Sequence, residues 1–530
     1  MTSLGKGNKS IFTHLTRRSR QRPAIGDATW HDRRRERSNR RALGPGRRAG
    51  APEGNPPGQS YPRSAAFLGL PFAEPPIGEH RFEAPVPAGP WTGVRDATAY
   101  GPTAQRRDSG LVTAIPEPSI PGDSILNVNV FTPAPGQPSA RLPVLVWIHG
   151  GGFEAGSPAS PWYDGRAFNR DGVVTVTLSY RLGFDGFGWI PDAPHNRGLL
   201  DQIEALRWVQ RNIAEFGGDP DRVTIGGQSA GGGSVWALLV AGQARGLFGA
   251  AIAQSGAPEL QPTEAAVRHG ETLAGLAGVP WTKAGLSGLV EDQILDLQAQ
   301  ILGQAPPRDL DSALRAVTGG GLLAYQPYVE EGLLPQRIGD ALAAGNGADV
   351  PMITGTTSHE FTAMGAQYAP LFVGQDPAEV MRNSAFGPAL EALAPGCREL
   401  PGGLAAVVGQ LLSELVFRIP MIRWVDFRSP APTWLYEFRL RHDQTGLAGH
   451  CTELPFVWDL LDAPRVARTC GADPPQELAD LMHRGWVSFL HDQQAPWPVW
   501  GPERLTAIAD RVPSFGPAYQ LEYDLTRMLP

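Results

Sequence analysis

The stretch GGQSAGG, Gly226 to Gly232, decides the reading of this chain. Gly227, Ser229 and Gly231 fit the pattern G-x-S-x-G. The spacing has a mechanical reason. A strand turns sharply into a helix, and the serine at the apex sits in a strained backbone conformation. Glycines two before and two after let the strand and helix approach closely. The hydroxyl is pushed out at the top of the sheet, above a helix N-terminus that favours developing negative charge. Glycine and serine are common residues, so the flanking sequence has to support the motif.

It does so on both sides. Arg222 to Gly226 reads as the strand entering the turn and Ala230 to Ala241 as the helix leaving it. Upstream, Leu142 to Ile148 (LPVLVWI) is a near-continuous apolar run, the pattern of a central strand covered on both faces. Ile125 to Phe131 and Val173 to Tyr180 read as strands, and Gly198 to Phe216 has the apolar periodicity of a helix. Ala250 to Gln254, Val350 to Gly355 and Trp434 to Leu440 read as further strands, and Glu477 to Leu490 as a helix. FLGLPFAEPPIGEHRF (67–82) reads as apolar residues broken by proline turns. Strands alternating with helices predict an α/β fold with a large, mostly parallel sheet and helices on both faces.

Composition bounds the rest. Hydrophobic residues at 42% supply a large core, and 64 Gly with 51 Pro suit many loops around a rigid sheet. The net charge of −7 hides an asymmetry. Residues 1–63 hold 15 Lys and Arg against 4 Asp and Glu, whereas 64–530 hold 31 against 49. The first segment is Arg-, Gly- and Pro-rich without apolar periodicity, and reads as a basic, disordered leader. A nucleic-acid or anionic-lipid arm is its sharper alternative, and a misassigned start a third. Residues 64–530 read as one acidic domain, unsuited to nucleic acid, with 259–345 and 362–430 as additions around an active-site mouth. Three cysteines form no disulfide or metal pattern. No apolar run long enough to span a membrane is read, nor a secretory signal, so a cytoplasmic location is expected.

A serine hydroxyl needs a base to take its proton, a group to orient that base and donors for the oxyanion. HGGGF (149–153) follows the central strand. Its glycines let successive N–H groups of Gly151 and Gly152 converge with that of Ala230 on one point, as an oxyanion hole.

At this point a resemblance is specific. FGGDPDRVTIGGQSAGG (216–232) resembles the serine signature of the type-B carboxylesterase/cholinesterase family. LGLPFAEPPIGEHRF (68–82), LSYRLGFDGFGW (178–189), NRGLLDQIEALRWVQRNI (196–213), AIAQSGAP (251–258) and YVEEGLLP (328–335) are similar to family blocks in the same order. The likeness runs from about Ala66 to Trp500. It implies the α/β-hydrolase fold, a Ser-Glu-His triad and hydrolysis of small-molecule esters, with no metal or cofactor. The acid it implies is Glu360 in GTTSHEF (355–361), the base His450 in GHCTELPFVW (449–458), and a serine near the base is Ser255. Each of Glu360 and His450 also follows a predicted strand, where a catalytic loop belongs.

The chain departs from the family in places. Gln228 stands where glutamate is common, which predicts weaker preference for cationic substrates. Ile125 stands where a cysteine is expected, so the corresponding disulfide is absent. His359 and Phe361 replace the more usual Asp and Gly beside the acid. No opening hairpin is recognisable before Ala65. Trp162, Phe153, Phe184 and Trp189 are candidates for an aromatic acyl site, with core packing as their ordinary explanation. A carbamate or amide hydrolase, a lipase, and a non-catalytic scaffold like the neuroligin-like branch are the alternative functions.

Overall fold

All seven residues of Leu142–Ile148 are buried in a strand. Val144, Val146 and Ile148 join one hydrophobic cluster, and Leu145 and Trp147 join another. Alternate side chains of a strand point to opposite faces, so the two clusters cover the two sides of the sheet. The computed structural model describes residues 42–43, 64–106, 114–256, 259–302, 307–318 and 323–530. Its main sheet has ten strands. They are β1 (Ala65–Pro71), β2 (Asn127–Thr132), β3 (Leu142–Ile148), β4 (Val174–Leu178) and β5 (Gly218–Gln228). The remainder are β6 (Ala250–Gln254), β7 (Met352–Thr357), β8 (Thr433–Phe438), β9 (Leu505–Ala509) and β10 (Ser514–Pro517). The spatial order is β10-β9-β8-β7-β6-β5-β3-β4-β2-β1. Pairing is parallel from β4 through β9 and antiparallel at both ends.

The sheet differs from the sequence reading at β1, at β5 and at the edge pair β9 and β10, which the sequence reading does not contain. β1 forms inside the segment read as proline turns. Its register shifts between Phe67 and Leu70, at Gly69 with φ +67°, where a side chain would strike the Gly101 backbone. The bulge hides the strand's alternation. β5 is eleven residues, longer than expected, because Gly218 also pairs with Leu142 across a second irregularity. Ala42 and Leu43 pair separately with Arg95 and Val94. The rest of residues 1–63, where the sequence places a basic leader, lies outside the described residues.

Five helices matter for the site. α1 (Arg197–Asn212) and α2 (Ala230–Val240) pack on the sheet. α3 (Leu404–Ser413) runs through one π-helical turn, Glu414–Arg418, into α4 (Ile419–Phe427). α5 (Gln476–Asp492) lies on the Trp147 face. Leu404–Phe427 is long and apolar enough to cross a membrane, contrary to the sequence expectation. Its most apolar stretch is 89% buried, however, as a core helix is, and α3 centres a cluster with Phe386, Leu390 and Leu393. The segment read as an addition at the mouth therefore has a core of its own.

Candidate active site

The elbow closes because side chains are missing. Ser229 stands between β5 and α2 with φ +58° and ψ −124°, a conformation that a non-glycine residue adopts only under constraint. A Cβ on Gly231 would lie 2.0 Å from the Ile148 carbonyl oxygen. One on Gly227 would lie 2.4 Å from the Gly231 carbonyl. Glycine at both places lets α2 leave the sheet beside β3. The Ser229 N–H donates to Gln254 O at 2.9 Å, which ties the apex to β6.

The glycine loop lies against this apex. A Cβ on Gly150 would be 3.0 Å from Ser229 Cβ. Gly151 and Gly152 have φ of +117° and +63°. His149 is stacked on Tyr180 with centroids 4.6 Å apart, and the Tyr180 hydroxyl donates to His149 O at 3.0 Å. Burial pushes the His149 imidazole down to about 4, so it is a neutral brace for the loop. Phe153 and Phe184 belong to the cluster on the α2 side of the sheet. Trp162 does not. It is fully buried on the opposite face with Trp147 and Trp458, and its Nε1 donates to Pro464 O at 2.8 Å. This removes it from the aromatic acyl site.

Glu360 and His450 meet although ninety residues separate them. His450 Nδ1 lies 2.5 Å from Glu360 Oε2. Glu360 Oε1 accepts from the Thr357 N–H at 2.7 Å and from the Ser255 hydroxyl at 2.6 Å. His450 N donates to Glu360 O at 3.1 Å. His359 joins the same two loops: its N–H donates to Ala448 O at 3.0 Å, and its Nδ1 accepts from Ala448 N at 3.1 Å. Burial pushes His359 down to about 4, which keeps that nitrogen an acceptor. The two departures from the family pattern beside the acid therefore have work here. The Phe361 ring packs 5.2 Å from the His450 ring, and Phe417 from the π-turn packs at 4.7 Å. The other ring nitrogen, His450 Nε2, is 3.2 Å from Gln228 Nε2.

Electrostatics follow from this enclosure. Burial works against the His450 imidazolium, but the Cys451 and Glu360 contributions outweigh it and hold the group well above its ordinary value. Burial pushes the Cys451 thiol itself up, so it stays uncharged at neutral pH and Glu360 supplies the pull. A second acid, Glu453, was not singled out from the sequence. It is fully buried, accepts from Gln254 Nε2 at 3.2 Å, and is pushed up to about 7 by burial and then by Glu360. The signal was available: an acid three residues after His450, directly before the apolar block LPFVW.

Behind the acid loop sits Arg418, with its side chain 7% exposed. It reaches Glu437 at 2.9 Å, Glu414 at 3.3 Å and also Glu522, and donates to Thr357 O at 3.1 Å. Gln410 Nε2 donates to Ser358 O at 3.0 Å and to Glu414 Oε1 at 2.8 Å. The Phe361 N–H donates to Ser413 Oγ at 2.8 Å. Among the described residues no group of three or more His, Cys, Asp or Glu is arranged to hold a metal.

A sheet of this order, with a serine elbow after β5 and an acid and a histidine on loops after β7 and β8, defines an α/β-hydrolase acting through serine. Comparison with known proteins narrows the class. Residues 49–387 match the carboxylesterase family. The chain is 34% identical to para-nitrobenzyl esterase of Bacillus subtilis over 465 residues, 84% of this chain and 91% of that protein. It is 32% identical to cocaine esterase of Oryctolagus cuniculus over 500 residues, covering 85% and 88%. A solved para-nitrobenzyl esterase superposes with a TM-score of 0.73 at 30% identity, covering 88% of this chain and 96% of the other. The carboxylesterase of Geobacillus stearothermophilus gives 0.73 at 31%, covering 87% and 96%. The chain belongs to the carboxylesterase family and is a carboxylic ester hydrolase.

Proposed function

We propose that Ser229, His450 and Glu360 form the catalytic triad and that small neutral carboxylic esters are the substrate. The observation that carries this reading is the buried Glu360–His450 pair beside the strained Ser229 elbow. Ser229 Oγ attacks the ester carbonyl carbon while His450 Nε2 takes its proton. Glu360 fixes the Nδ1–H tautomer and stabilises the imidazolium. The N–H groups of Gly151, Gly152 and Ala230 receive the oxyanion. His450 then protonates the leaving alcohol, and water hydrolyses the acyl-enzyme by the same steps reversed. Ser255 and Gln228 support the acid and the base.

Ser229→Ala should lower kcat by about 10⁴-fold or more and abolish organophosphate labelling, with the fold retained. Turnover at the wild-type rate would remove the triad reading. The base works only when neutral. The sequence alone sets its ordinary value near 6.5. The Glu360 pull raises it, so the acid limb of kcat/KM should lie above 6.5. A limb below 6.5 would contradict the assignment.

Gln228 places no charge beside the base, which supports a preference for neutral over cationic esters. An unchanged ratio of cationic to neutral turnover in Gln228→Glu would sink that preference. A panel of p-nitrophenyl esters of rising acyl length, with an aryl carbamate and an anilide, separates ester from carbamate and amide hydrolysis. The described cysteines Cys397, Cys451 and Cys470 are all free and buried, which supports a reducing, cytoplasmic location. Cell fractionation tests it, and recovery outside the cytoplasm would refute it.

A further inference from the structure

Gln228 is fully buried at the end of β5, in a slot between the glycine loop and the base. A Cβ on Gly150 would come within 2.7 Å of the Gln228 carbonyl oxygen and 3.2 Å of its Oε1. Glycine at 150 is what leaves room for this side chain. At the far end of the slot, Gln228 Nε2 lies 3.2 Å from His450 Nε2. The other ring nitrogen faces the Glu360 carboxylate at 2.5 Å, so it carries a proton and donates. On a neutral ring Nε2 is then an acceptor, and the amide N–H donates to it. A protonated ring would set two donors face to face. Gln228 Oε1 is buried without a hydrogen-bond partner. The contact with His450 is thus what the amide orientation answers to.

We propose that Gln228 is a positioning residue that caps Nε2 of the neutral His450 ring in the resting enzyme and holds the base aligned until Ser229 Oγ takes its place. The proposal rests on the reading of His450 as the base. Binding of substrate lets the Ser229 O–H donate to Nε2 in place of the amide. The Oγ proton then passes to Nε2 as the Oγ–carbon bond forms and the carbonyl electron pair moves onto oxygen. A hydrogen bond donated to the neutral form favours that form, so Gln228 pulls the proton affinity of the base down while Glu360 pulls it up. The other titratable groups around the ring are the Cys451 thiol and Glu453, and its faces are covered by Phe361 and Phe417. A carboxylate at position 228 would reverse the effect: it would favour the imidazolium.

The test is the pH profile of kcat/KM for a neutral p-nitrophenyl ester in the wild type, Gln228→Met and Gln228→Glu, with Ser229→Ala alongside. Rates are normalised by organophosphate titration of active sites, so misfolded protein does not count. The acid limb should rise by about half a unit in Q228M, which loses one donor, and by about one unit or more in Q228E. A purely structural role lowers the rate and leaves the limb in place, so coincident limbs in all three proteins overturn the proposal. Should Q228M not fold, the closely isosteric Q228E carries the same test. Turnover by Ser229→Ala would instead remove the triad reading. An inactive Ser229→Ala with unmoved limbs removes the role of Gln228 alone.

Discussion

The two halves of the candidate active site are held by opposite means. The elbow and glycine loop are shaped by what is missing: Gly227, Gly231 and Gly150 have no side chain where backbone atoms stand 2.0–2.9 Å from a Cβ position. The loops of Glu360 and His450 are shaped by what is added. Thr357, Ser255, His359, Gln410, Ser413 and Arg418 all bond to the segment 357–361 or the loop it faces. The first half is local in sequence and takes its strain from close packing. The second gathers residues from four separate stretches and is fixed by polar contacts in the buried interior, where each is worth more than in water. The difference teaches where each half should break. The elbow should fail sterically and all at once, and the acid loop should fail in steps.

Gly231→Ala tests the first half. Its Cβ would meet Ile148 O at 2.0 Å, Ile148 C at 2.8 Å and His149 O at 2.9 Å, all backbone atoms of the central strand and its exit. No flexible side chain can yield. Overpacking against backbone puts this change among the exceptional ones, about 5 kcal/mol or more, enough to prevent folding of a marginally stable protein. Soluble Gly231→Ala enzyme with wild-type turnover would show that the elbow has slack and would dissolve the contrast.

Arg418→Met tests the second half at its deepest point. Burial works against the Arg418 charge, but Glu522, Glu414 and Glu437 outweigh it and hold the guanidinium well above its ordinary range. Removing it leaves Glu522 and Glu414 without their cation and Glu437 with Arg439 alone, and frees the Thr357 carbonyl. Breaking one side of a buried ion network costs about 4 kcal/mol, which a fall in the urea midpoint would register. The same variant with Glu522→Gln added should recover part of the loss, because that stranded charge is gone. A single variant as stable as the wild type would mean that the network does not support the acid loop.

The sequence disclosed these halves unequally, for the same physical reason. Glycines at fixed offsets around Ser229 are written contiguously, and LPVLVWI states that both of its faces are buried. The elbow, β3 and α2 are therefore legible without a partner. Glu360 and His450 were reached through the family resemblance and their places after two strands. Nothing in GTTSHEF or GHCTELPFVW alone reports that Nδ1 will meet Oε2. Arg418 and Glu414 were not legible at all. They lie on a helical run that reads as apolar, and the π-turn that brings Phe417 onto His450 leaves no periodic trace. The bulge in β1 erased a strand in the same way, by breaking its alternation.

Ser255→Ala and Ser255→Gly together sharpen the comparison at its smallest scale. Ser255 belongs to both halves. It follows β6, the strand that holds the Ser229 N–H through Gln254 O, and its hydroxyl donates to Glu360 Oε1 at 2.6 Å. Its φ is +46°, so it carries backbone strain as well as a polar contact. Alanine keeps the strain and deletes the donor. Glu360 Oε1 then retains the Thr357 N–H, so the carboxylate is weakened and not stranded, and the loss should be about 1–2 kcal/mol, roughly a tenfold fall in kcat. Glycine deletes the same donor and relieves the strain, since it enters the left-handed region at little cost. The two variants should share one kcat while Ser255→Gly unfolds later by about 1 kcal/mol. Were the glycine variant also the faster enzyme, the strain at 255 would be impeding turnover. The hydroxyl would then be a strand-end cap, and the acid would be held by Thr357 and the loops alone.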